Sequence, residues 1–225
     1  MATPLILSWS GGKDSALALH ELRRRPDVDV VGLITTVTDT YDRISIHGVR
    51  RDVLQAQVEQ IGLPLHEVVI EAGSTNRTYE AAFALALEHV RSLAPALATI
   101  AFGDLFLEDV RAYREHLLTP LGWNAVFPLW GRPTPALAQE FVREGFRAIL
   151  CCVDTEQASA ALAGREFDAA LLADLPPTVD PCGERGEFHT CVYAGPIFRR
   201  PVALRTGERV LREERFQYCD LLLAD

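Results

Sequence analysis

With 225 residues, 48% of them apolar and 24% charged, the chain has the composition of a globular protein with an ample core, not of a disordered or fibrous one. Its net charge of −9 argues against a broad nucleic-acid surface, which needs a basic stripe. No apolar run approaches the roughly 18 residues of a transmembrane helix, and no signal peptide is read. The expected location is cytoplasmic.

In chain order, residues 4–7 predict a buried strand running into Ser8-Trp9-Ser10-Gly11-Gly12-Lys13-Asp14-Ser15. Ala16, Leu19 and Leu22 then mark one face of a helix. Strand, glycine turn and helix together aim backbone N–H groups and a positive helix end at an anion. Gly11 and Gly12 allow close approach, Ser10 and Ser15 add hydroxyl donors, and Lys13 adds a point charge. Among 22 basic residues Lys13 is the single lysine, placed where a compact ammonium suits phosphate better than a planar guanidinium. The loop is expected to be exposed, so that Lys13→Ala would barely change stability.

Residues 28–37 predict a second strand closing on Thr35-Thr36, and ligands gather at the carboxyl ends of parallel strands. A polar link over 39–48 precedes a helix carrying Val49, Val53, Leu54, Val58 and Ile61. His47 and Arg50 lie on the same rim as the glycine loop. Residues 65–70 predict a third strand, and Tyr79, Phe83, Leu87 and Val90 an amphipathic helix. Residues 98–102 predict a fourth strand leading into Gly103-Asp104. A helix with Val110, Tyr113 and Leu117 follows, then a fifth strand over 125–128. This alternation predicts an α/β fold with a doubly wound, five-stranded parallel sheet.

From Pro133 the pattern shifts. We divide the chain into a domain over 1–131 and a smaller C-terminal α+β lobe over 132–225, packed over the crevice of the sheet. Within the lobe, Gly183-Glu184-Arg185-Gly186-Glu187-Phe188-His189-Thr190 gathers two carboxylates, an imidazole and a hydroxyl in one glycine-punctuated turn. Strand alternation puts Glu187 and His189 on one face, suited to binding an amine or accepting a proton. The five cysteines are odd in number, lack a C-x-x-C pair and read as core residues.

Ser-Gly-Gly-Lys-Asp-Ser resembles the PP-loop of ATP pyrophosphatases. Together with Gly103-Asp104, Phe127-Pro128-Leu129-Trp130 and the 183–190 turn before Gly195-Pro196, the chain resembles the diphthine–ammonia ligase (diphthamide synthase, ATP-binding type 4) family. Residues 43–50 look like its bacterial branch. The resemblance implies the strand order 3-2-1-4-5 and cleavage of ATP between its α- and β-phosphates. A carboxylate is then adenylated and converted to an amide by ammonia or an amine, with Mg²⁺ on the phosphates.

By the same resemblance, ATP falls to Ser10, Gly11, Gly12, Lys13, Asp14, Ser15, Thr35, Thr36, His47, Gly103 and Asp104. The substrate falls to Arg50, Glu184, Glu187, His189 and Thr190. Lys13, Asp14, Glu187 and His189 are the implied catalytic residues, and Asp14 and Asp104 the implied Mg²⁺ ligands. Expected partners are a small-molecule or protein carboxylate acceptor and ammonia, without nucleic acid or membrane; a homodimer is allowed. The departures Arg185, Cys191 and Ala194 bear on the acceptor, not on ATP. Two rival readings share the loop: a sulfur-transferring RNA-modifying enzyme, and a non-catalytic nucleotide-binding module.

Overall fold

A computed structural model describes residues 2–44 and 48–224. The apolar run at the start forms β1 (Thr3–Ser8), and the glycine turn opens directly into α1 (Lys13–Arg23). There follow β2 (Val28–Thr38), a two-residue strand β3 (Arg43–Ile44), α2 (Arg51–Ile61), β4 (Leu65–Ile70) and α3 (Asn76–Leu93). Next come β5 (Thr99–Ala101), α4 (Glu108–Leu118) and β6 (Asn124–Val126). The remainder comprises α5 (Thr134–Arg143), β7 (Arg147–Asp154), α6 (Ala169–Asp174), β8 (Phe188–Ala194), β9 (Leu204–Arg212) and β10 (Phe216–Leu223).

The five strands expected from the sequence pair in parallel in the order β4-β2-β1-β5-β6, which is the expected 3-2-1-4-5 arrangement. The stretch predicted as a polar link differs in part: β3 pairs antiparallel with the end of β2, Val37 opposite Ile44. Strand alternation sorts the core. Ile6, Ile34 and Ile100 point to one face and pack with Phe83, Leu87 and Val90 of α3 and with Phe102 and Trp123. Leu5, Leu7 and Leu33 point to the other, against Leu17 of α1 and Val53 and Leu54 of α2.

That second face does not stop at the helices. It continues without a break into Phe141, Leu150, Phe167, Phe188 and Val192. These residues line the C-terminal elements, whose antiparallel sheet runs β8-β7-β10-β9. Phe141 stacks on Phe146 at 4.9 Å and meets Phe167 edge-on at 5.3 Å. Backbone bonds also cross the seam: Val192 N–H donates to the Gly11 carbonyl and Arg199 N–H to that of Gln60, both at 2.9 Å. Among the described residues no helix is long and apolar enough to cross a membrane.

Candidate active site

Lys13, Asp14 and Ser15, the first residues of α1, line a cavity of about 220 Å³. The helix opens on this space, so its leading N–H groups and positive dipole end lie there. Gly103 and Asp104, just beyond β5, form the adjoining wall. A Cβ at Gly103 would stand 2.9 Å from backbone atoms of Asp14 and Ser15, so only glycine lets this turn close on the start of α1. Glu184, His189 and Thr190 roof the cavity from the second lobe.

The loop is internally braced. The Ser15 hydroxyl donates to the Gly12 carbonyl at 2.9 Å, and Gly12 N–H donates to Ser10 Oγ at 3.3 Å. Gly11 does not line the cavity; its carbonyl turns away and accepts from Val192 N–H at 2.9 Å and from Gln57 Nε2 at 3.0 Å.

Lys13 departs from expectation. It is 3% exposed, because β8 lies across the loop. Its backbone N–H donates to Thr190 Oγ1 at 3.0 Å. Its ammonium donates to Asp14 Oδ2 at 2.8 Å and sits 5.6 Å from the Phe188 ring centroid. Burial alone would lower the Lys13 pKa, but the Asp14 carboxylate holds it above its ordinary value. Burial pushes the Asp14 carboxyl up despite that ammonium.

Two carboxylate oxygens in the cavity lack hydrogen-bond partners, Asp14 Oδ1 and Asp104 Oδ2. The cation beside Asp104 is Arg114, its Nε 3.6 Å from Oδ2, outside hydrogen-bond range. A buried carboxylate left this way is costly unless a proton or a cation meets it. Among the described residues no cluster of three or more His, Cys, Asp or Glu side chains is arranged to hold a metal by itself. The two orphaned oxygens fit a hard cation whose other ligands are phosphate and water.

The turn of the second lobe divides its two glutamates. Glu184 faces the cavity and accepts from the N–H groups of Leu105 and Phe106 at 2.8 and 3.4 Å. Glu187, 2% exposed, faces its own turn and accepts from Asp180 N–H and Arg185 N–H, both at 2.9 Å. The alternation that paired Glu187 with His189 fails because β8 begins only at Phe188. Before it, Gly183 takes a φ of 66° and folds the chain so that a Cβ there would meet the Phe188 carbonyl at 2.7 Å.

Burial pushes the Glu184 pKa up to about 7, against the Leu105 N–H that accompanies it. Burial, aided by the Lys13 ammonium, pushes His189 down to about 4, so this imidazole is neutral at physiological pH. Glu184 therefore gives stability in full below its ordinary value of 4.5 and loses it as pH rises through about 7. Glu184→Gln removes that dependence. The stability difference, wild type minus variant, is expected to fall by on the order of 1–2 kcal/mol between pH 4.5 and 8, allowing for solvent screening of a half-buried group. Urea unfolding of both proteins at the two pH values measures it, and a pH-independent difference would place the carboxylate in solvent.

A second cavity, about 510 Å³, adjoins the first and shares Ser8, Ser10 and Arg114 with it. Thr35 and Thr36 line it, with Tyr79 and Phe83 of α3, and the Thr35 hydroxyl is buried without a partner. Arg50 stands elsewhere. Its guanidinium grips Asp220 at 2.6 and 3.0 Å, in a cavity of about 400 Å³ that shares no residue with the glycine-loop cavity. His47 lies outside the described residues.

Sequence reading missed two residues here, Gln57 and Arg114. Gln57 is the polar member of an otherwise apolar stripe on α2, between Leu54 and Ile61, and a polar side chain on a core face was the available signal. Arg114 had the weaker signal of lying on the helix that follows Gly103-Asp104.

The diphthamide synthase N-terminal domain matches residues 4–124, and the diphthamide synthase C-terminal domain matches residues 134–221. Two relatives carry the name diphthine–ammonia ligase. The chain is 25% identical to that of Schizosaccharomyces pombe over 228 residues, covering 94% of this chain but 38% of the relative. It is 24% identical to that of Danio rerio over 225 residues, covering 91% of this chain and 88% of the relative. The two matched domains follow one another in order and meet at the cavity between the glycine loop and the 183–190 turn, and the chain belongs to the diphthamide synthase family.

Proposed function

We propose that the protein is an ATP-dependent, AMP-forming ligase that joins a carboxylate to ammonia or an amine. The observation that carries this reading is the composition of one cavity: an anion-binding helix start on one wall, Glu184 and neutral His189 on the other. Residues 1–131 then serve as the ATP-binding domain and 132–225 as the substrate-binding lobe. The relatives' name offers a diphthine-type carboxylate as the first acceptor to try, with ammonia as the amine.

The β- and γ-phosphates lie against the start of α1 and Lys13, and the nucleoside lies in the larger cavity beside Thr35 and Thr36. A carboxylate oxygen of the acceptor attacks the α-phosphorus, the bond to the β-phosphate oxygen breaks, and pyrophosphate leaves. Ammonia then adds at the acyl carbon and AMP departs. Glu184, with a pKa near neutrality, accepts the proton released from nitrogen; His189, a much weaker base, stays neutral and orients. Asp14 and Asp104 would hold Mg²⁺, which neutralises charge on the pyrophosphate leaving group. A carboxylate about 4 Å from a phosphate charge otherwise costs roughly 4 kcal/mol at an effective dielectric of 20.

The sulfur-transfer alternative finds little support. All five cysteines are buried, and burial raises the pKa of each thiol, which disfavours the reactive thiolate. The expected products with labelled ATP and an accepted carboxylate are AMP and pyrophosphate in equal amounts, together with an amide. Chromatography of the nucleotide products decides it, and ADP with phosphate as the main products would overturn the reading.

A further inference from the structure

We propose that Arg114 is the residue that binds the α-phosphate of the nucleotide, and that Asp104 holds it in reserve until nucleotide arrives. This assignment rests on the reading of the two cavities as one ATP site.

The argument begins with position. The phosphate cavity and the larger cavity adjoin, and the side chains common to both linings are Ser8, Ser10 and Arg114. In any nucleoside triphosphate that spans them, the α-phosphate must pass this junction, since it lies between the nucleoside and the β- and γ-phosphates. Of the three shared residues only Arg114 carries charge.

Its present partners leave the guanidinium underused. The group lies over the Phe102 ring, its Cζ 4.8 Å from the centroid. Its Nε is buried and has no hydrogen-bond partner; the Asp104 oxygen opposite, at 3.6 Å, has none either. Two opposite charges that form an ion pair at 3.6 Å without a hydrogen bond between these atoms mark a loose pairing that a better partner for each can replace. A phosphate oxygen is such a partner for a guanidinium, whose planar fork matches two oxygens at once. Arg111, one turn earlier on α4, is not equivalent: it bonds Glu115 at 2.9 Å and lies against Phe127 and Trp130.

Arg114 then works on the atom where the reaction occurs. Negative charge builds on the non-bridging α-oxygens as the acceptor carboxylate attacks, and a fixed guanidinium at this point stabilises it. Lys13 and the start of α1 serve the leaving pyrophosphate instead.

Titration calorimetry with adenosine, AMP and pyrophosphate separates these roles without needing the acceptor. Arg114→Gln is expected to weaken AMP binding tenfold or more while changing adenosine and pyrophosphate binding less than twofold. Arg114→Lys is expected to recover part of the loss, and Asp104→Asn to tighten AMP binding by releasing the guanidinium. Equal losses for adenosine and AMP would assign Arg114 to building the pocket, and a loss confined to pyrophosphate would assign it to the β- and γ-phosphates; either overturns the proposal. Failure of the wild type to bind any of the three ligands would overturn the ATP-site reading itself, and the proposal with it.

Discussion

Gln57→Leu is expected to destabilise the protein by about 2–4 kcal/mol while preserving side-chain volume. Gln57 is fully buried, with an exposure of 0%. Its Nε2 donates to the Gly11 carbonyl at 3.0 Å and to the Val192 carbonyl at 2.6 Å, and its Oε1 accepts from the Trp9 indole N–H at 3.3 Å. One amide thus ties α2, the glycine loop and β8 together. Leucine fills the space but leaves the Trp9 N–H and the Val192 carbonyl short of a partner, and each buried unsatisfied group costs about 1–3 kcal/mol. The gain from the added apolar surface offsets only part of this. Urea unfolding gives the stability change, and pyrophosphate affinity reports whether the loop has shifted. A change below about 0.5 kcal/mol, the usual size for a surface position, would show that the amide clamps nothing.

Lys13→Ala is expected to lower the rate of pyrophosphate release by about 10²–10³, the usual cost of removing one preorganised charge-stabilising donor. It is also expected to cost stability, contrary to the reading of an exposed loop. The substitution leaves the partly buried Asp14 carboxylate without its cation; breaking a fully buried pair costs about 3–5 kcal/mol, and the 27% exposure of the Asp14 side chain brings the expected cost to about 1–3 kcal/mol. The sign with pH follows from the direction of the Asp14 shift. Burial already holds its pKa above the ordinary carboxylate value, and loss of the ammonium raises it further. A proton on Asp14 relieves the penalty, so the destabilisation should be smaller at pH 5 than at pH 8. The double variant Lys13→Ala, Asp14→Asn should regain stability at pH 8 but not activity. Identical stability of Lys13→Ala and wild type at pH 8 would put the lysine in solvent after all.

Much of this architecture was legible from periodicity, because strand and helix leave different repeats. The third strand emerged with the boundaries read from its residues, and the neighbouring elements differ mainly at their ends. The strand order was not in the periodicity; it came with the resemblance carried by the glycine loop. What alternation could not give was the path of the chain where alternation stops. The direction of Glu187 depends on the fold of the turn at Gly183 and Gly186, both with positive φ, and no two-residue rule extends through it. Likewise the burial of Lys13 depends on Phe188 and Thr190, some 175 residues away in sequence, packing over it. Gln57 was readable in principle. A lone amide in the apolar stripe of α2 has to find partners, and only the tertiary structure says that they are Trp9, Gly11 and Val192.

The bonds from Thr190 and Val192 to the glycine loop also bear on how the protein is made. Domains fold broadly in the order of synthesis, and here the first strand and its helix leave the ribosome long before β8 exists. Until then the Gly11 carbonyl lacks its Val192 donor, the Lys13 N–H lacks the Thr190 hydroxyl, and the apolar face of β1 and β2 lacks Phe188. The segment that looks most self-sufficient in the sequence thus waits for its partners, and the shape of its loop is set by residues translated 177 positions later.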